Sequence, residues 1–125
     1  YSKAKFILDI VAYRDYCLSK PGVTEDTPFG PDVLVMKVMN KMFALFDIEK
    51  FESVNLKCDP ERALELRAEN PGITPGYHMN KKHWNTIAFD GSVSDELIIE
   101  LTDLSYDLVR KSLPKKMRDE LDELH

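Results

Sequence analysis

The chain has 125 residues, 43% of them hydrophobic, and a formal net charge of −5. Those numbers suit one domain with a genuine core. No apolar run approaches the ~20 residues that cross a bilayer, and no leader pattern is visible, so a cytoplasmic protein is expected. Two cysteines far apart, Cys17 and Cys58, exclude a disulfide scaffold and read as small buried hydrophobes. The acidic total argues against capture of polyanions by bulk charge. Yet the excess is local: residues 91–125 hold nine acids and five bases, and residues 31–90 nine and eight.

Asp9 predicts the cap of a first helix running to about Ser19, with Ile10, Val11, Tyr13, Cys17 and Leu18 at helical spacing and Pro21-Gly22 as the stop. Residues 1–8 are set apart as an N-terminal extension of a single domain over 9–124. Val23 to Phe29 is predicted extended, followed by the turn formers Gly30 and Pro31. Asp32–Val38 and Lys41–Asp47 read as strands joined by a tight Met39-Asn40 turn. Phe51–Lys57 reads as a further strand, alternating Val54 and Leu56 against Asn55 and Lys57.

Asp59-Pro60-Glu61 is a helix start: a capping carboxylate, proline in the first turn and an acid at the positive dipole end. Pro71 ends that helix near Asn70. A strand is expected from about Asn85 to Phe89, then a long helix from Ser92 or Ser94 to about Lys111. Its buried side is expected to carry Leu97, Ile98, Leu101, Leu104 and Leu108. Pro114 opens a last short helix with Leu113, Met117, Leu121 and Leu124 on one side. The pattern predicts an α+β domain with helices flanking a mostly antiparallel sheet.

The segment 70–86 stands apart. It joins two Pro-Gly pairs, Tyr77, His78, Lys81, Lys82, His83, Trp84 and three asparagines, with no acidic residue. The Pro-Gly pairs predict rigid turns in which glycine takes positive φ. Lys81 and Lys82 suit phosphates, Tyr77, His83 and Trp84 suit stacking on bases, and Asn80 and Asn85 suit amide contacts. Lys57 and Arg67 extend this patch if the sheet brings them near. The plainer reading makes Trp84 a core plug and turns Asn80 and Asn85 to loop backbone groups.

Several blocks resemble the MmcQ/YjbR family of small bacterial proteins: Pro28-Phe29-Gly30, Lys41 to Ala44, Val54 to Glu61, Pro75 to Thr86, Asp90-Gly91-Ser92, and Ser105 to Leu108 with Leu113 to Lys116. They run in order from Tyr13 to Leu121, apart from Ser94, where members often carry proline at the helix start. The resemblance implies a CyaY-like fold, with two helices packed on one face of an antiparallel sheet. It also implies a DNA-binding role, inferred from similarity to double-wing DNA-binding folds, and it supplies no catalytic residues.

Other constellations are weaker. Glu96, Glu100, Asp103 and Asp107 line one side of the long helix, either as a solvated face or as a frataxin-like cation ridge. His78 and His83 lack the partners of a metal site, and neither cysteine has a base at motif spacing. Met39 is placed at an exposed hairpin tip. The sequence therefore predicts a non-enzymatic binding domain without cofactor or metal. Its nucleic-acid surface would comprise Lys57, Arg67, Tyr77, His78, Asn80, Lys81, Lys82, His83, Trp84 and Asn85, with DNA or a single strand as partner. A protein-interaction or small-ligand module using the same loop is the alternative.

Overall fold

The computed structural model describes residues 8–77 and 79–124. In chain order the elements are α1 (Ile10–Leu18), β1 (Val23–Asp26), β2 (Val33–Val38), β3 (Lys41–Asp47), β4 (Ser53–Lys57), α2 (Pro60–Glu69), β5 (Ile73–Pro75), β6 (Trp84–Ala88), α3 (Asp95–Lys111) and α4 (Lys115–Asp122). The strands form one sheet of order β1-β2-β3-β4-β6-β5, antiparallel at every pairing.

Local chemistry fixes the boundaries. The Asp9 carboxylate accepts from the Ala12 N–H at 2.8 Å and opens α1. Asp59 and Ser94 cap α2 and α3 in the same way. Met39 and Asn40 both have positive φ, 49° and 70°, the two-residue turn whose twist matches a hairpin. Met39 is nevertheless only half-exposed and packs against the core, so it is not the bare tip expected. Phe51 is not in a strand: its φ is 44°, and its ring stacks on Phe89 at 4.1 Å between centroids.

The sheet has one covered and one open face. Residues directly opposite each other share a face, so the register sorts them. Leu34, Met36, Phe46, Val54, Leu56, Ile73 and Ile87 enter the main core with residues of all four helices. Val35, Leu45 and Trp84 form a separate small cluster on the other side with Val33, Met42 and Met79, to which no helix contributes. Helices packed on one face of an antiparallel sheet, the arrangement expected, are thus present, though four helices take part rather than two.

α3 differs from the leucine stripe expected of it. Its buried residues are Ile98, Leu101, Thr102, Ser105, Tyr106 and Val109, while Leu104 is 40% exposed. The hydroxyls can be buried because each finds a partner. Thr102 meets the Tyr13 hydroxyl at 2.8 Å, and Tyr106 donates to the Pro21 carbonyl at 2.5 Å. Leu124 is exposed rather than sharing the buried side of α4. Leu8, assigned to the extension, is buried in the core; the rest of that extension, residues 1–7, lies outside the described residues.

Candidate nucleic-acid interface

The segment between α2 and β6 is held by backbone pairing. Residues 73–75 form the edge strand β5, which sequence pattern missed because it has only three residues and ends on a proline. Neither Pro-Gly pair makes the expected left-handed turn: positive φ among the described glycines is confined to Gly22, Gly30 and Gly91. Glycine serves close approach instead. A Cβ on Gly76 would stand 2.8 Å from the Trp84 Cβ and 2.9 Å from its carbonyl oxygen. The Gly76 N–H donates to that same carbonyl at 2.9 Å.

Three of the sequence-selected residues turn inward, and a fourth, exposed Lys81, is tied back to the loop backbone. Asn85, 2% exposed, projects to the helix side, where its Oδ1 accepts from Arg67 Nε at 2.7 Å. The Arg67 Nη2 also donates to the Lys81 carbonyl oxygen. A buried amide must be satisfied, so Arg67 and Asn85 are committed to each other rather than offered to a ligand. Trp84, 8% exposed, is the plug of the small open-face cluster. Lys81 returns its Nζ to the Gly76 carbonyl oxygen at 3.1 Å.

The others lie at the surface. Asn80 closes the 80–83 turn, its Oδ1 accepting the Lys82 N–H at 2.9 Å. Lys82 is exposed and His83 half-exposed. The Cys58 N–H donates to the His83 carbonyl at 2.7 Å, which sets Lys57, opposite Trp84 on the open face, beside this turn. Lys57, Lys81 and Lys82 have no carboxylate partner among the described residues. Tyr77 is 68% exposed. His78 lies outside the described residues.

The open face holds a groove of about 430 Å³. Tyr77 and Phe29, the latter 62% exposed, are among its lining residues. Val33 and Leu45 are its apolar floor, with Asp47 and Asn55 adding polar groups. A relay ties the Tyr77 loop to this floor. The Tyr77 N–H donates to Thr86 Oγ1 at 2.9 Å, and the Thr86 hydroxyl in turn donates to Asn55 Oδ1 at 2.5 Å. Sequence reasoning overlooked Phe29, Asp47, Asn55 and Thr86. The available signal was the outward register of Asn55 on an alternating strand.

The acidic helix is on the opposite layer. α3 packs on the covered face, so the sheet separates its carboxylates from the groove. Its ridge is also interrupted: Asp103 takes Lys20 Nζ at 2.5 Å and the Tyr16 hydroxyl at 2.5 Å. Burial, with help from Asp103, pushes the Tyr16 phenol up to about 12. Among the described residues no group of three or more His, Cys, Asp or Glu could hold a metal ion. Burial raises the Cys17 thiol to about 12 and also raises Cys58, the reverse of what a thiolate nucleophile needs. No described helix is long and apolar enough to cross a membrane.

The family model YjbR matches residues 18–108. The Escherichia coli K12 protein YjbR is 36% identical over 104 residues, covering 82% of this chain and 88% of that protein. YbdF of Escherichia coli O157:H7 is 38% identical over 100 residues, covering 79% and 82%. A crystal structure of the Deinococcus radiodurans protein DR2400, of domain family DUF419, superposes with a TM-score of 0.86 at 43% identity, covering 93% of this chain and 89% of that one. A Pseudomonas syringae crystal structure matches with a TM-score of 0.68 at 29% identity, covering 81% and 98%.

Proposed function

Since the chain belongs to the YjbR family, we propose that it is a non-enzymatic domain binding single-stranded nucleic acid on the open face of its sheet. The observation that carries this reading is the pair of exposed rings, Phe29 and Tyr77, lining one groove. Lys57, two residues from Asn55 on the same open face, adjoins it without a carboxylate partner among the described residues, and Lys82 lies on the neighbouring 80–83 turn, beside α2. Bases stack on aromatic rings regardless of sequence, while ammonium groups track the phosphates. A duplex would need a projecting helix or ribbon to enter its groove, whereas a concave sheet face takes unstacked bases.

The test is fluorescence anisotropy of a labelled single strand and its duplex across a salt series. Affinity for the single strand should exceed that for the duplex and fall steeply with salt, as counterion release requires. Lys57→Glu with Lys82→Glu should weaken it at least about tenfold. Unchanged affinity in that double variant, or equal binding of the duplex, refutes the reading. The concave and mainly apolar floor also favours a second one, a small-ligand or protein-contact module in the same groove. Its signature is binding insensitive to salt.

A further inference from the structure

The groove carries polar chemistry that stacking and phosphate pairing leave unused. Asn55 lies opposite Leu45, and Asp47 follows Leu45 two residues on along the same face. The two polar side chains are therefore diagonal neighbours on adjacent strands, about 7–8 Å apart at the backbone. Both line the groove. Asp47 Oδ1 accepts the Lys50 N–H at 2.8 Å, and Oδ2 has no partner among the described residues.

The relay from Tyr77 decides which way Asn55 points. A backbone N–H only donates, so Thr86 Oγ1 accepts from Tyr77 and must spend its own proton on Asn55 Oδ1. The amide NH₂ of Asn55 is then the group left for a ligand. The groove presents an anionic acceptor and a neutral donor as diagonal neighbours, and two exposed rings line it with them.

We infer that this groove seats one guanine base of a bound single strand. The base is flanked by Phe29 and Tyr77, with its N1–H and N2–H donating to Asp47 and its O6 accepting from Asn55. The inference rests on the nucleic-acid reading and adds a base preference to it. Guanine alone among the bases puts two N–H donors together beside a carbonyl. Thymine has one N–H between two carbonyls, cytosine sets an unprotonated ring nitrogen between its amino group and its carbonyl, and adenine has a single donor group and no carbonyl.

The test uses two single-stranded hexamers, all-thymine and the same with one central guanine, together with guanosine monophosphate, each titrated into the whole chain. The guanine hexamer should bind about tenfold tighter than the thymine one. Asp47→Asn keeps an oxygen for the Lys50 N–H; it should shrink that preference to within about twofold and leave the thymine hexamer unaffected. Phe29→Ala and Tyr77→Ala, both at exposed positions, should each weaken the guanine hexamer at least about fivefold. Equal binding of the two hexamers overturns the guanine site and leaves nucleic-acid binding standing. Binding of guanosine monophosphate that Asp47→Asn abolishes, with neither hexamer bound, keeps the site but overturns the single strand as its source. Binding of none of the three overturns both.

Discussion

Arg67 Nε donates to Asn85 Oδ1 at 2.7 Å, from α2 across to β6. The contact satisfies a buried asparagine on the helix side of the sheet and anchors the 80–83 turn through the Lys81 carbonyl. Arg67→Ala strands the Asn85 amide, which should cost about 2 kcal/mol in urea denaturation. Because the guanidinium is committed internally, the same substitution should leave the salt slope of oligonucleotide binding unchanged. Lys82→Ala should lower that slope by about one. A slope that drops with Arg67→Ala would return the arginine to the ligand surface.

Ser105 does for β3 and β4 what a ladder hydrogen bond does elsewhere. The register shift between Met36 and Lys37 leaves Phe43 as the extra residue of a bulge in β3. The Ser105 hydroxyl donates to its carbonyl at 2.6 Å and accepts the Lys57 N–H at 2.9 Å. Ser105→Ala orphans two backbone groups at a buried site and should destabilise by about 2–3 kcal/mol. Hydrogen exchange at the Lys57 amide should rise more than at Val54, further along the same strand.

At Gly76 the cost is steric. Alanine would place its Cβ against the Trp84 backbone oxygen, an atom that cannot swing away. Gly76→Ala should lose about 1–3 kcal/mol and shift the Trp84 fluorescence, since the indole is the plug beneath the loop. A melting temperature equal to wild type would show that β5 and β6 can part at no cost.

Arg14 hydrogen-bonds the Glu25 carboxylate and holds it below the usual carboxylate range. A depressed native value means the unfolded chain takes up the proton first. The pair's contribution is therefore complete above pH 4.5, the ordinary value, and disappears as pH falls through the native one. The stability gap between wild type and Glu25→Gln should close between pH 6 and pH 3 in urea titrations. Both groups are partly solvated, so added salt should also narrow it. A gap that widens on acidification contradicts the sign.

Much of the fold was legible. Asp9, Asp59 and Ser94 signal their helices because capping is a contact within three residues. Val54 and Leu56 signal a half-buried strand through alternation alone. β5 was not legible, since three residues ending on a proline hold no period and pair only because β6 arrives beside them. The buried hydroxyls of Thr102 and Ser105 were equally silent. Their partners are Tyr13, Phe43 and Lys57, from 48 to 89 residues away in the chain.

The candidate site divides along the same line. Composition picked out 77–85 as a cationic and aromatic display, but residue type cannot say which way a side chain turns. Register decided it. One step along β6 separates Trp84, plugging the open face, from Asn85, buried toward the helices. The groove itself joins Phe29, Asp47, Asn55 and Tyr77, four residues from different segments that only strand order makes neighbours. Caps, alternation and family are local or linear properties, so the sequence carries them alone. A surface built across strands exists only once long-range pairing is complete.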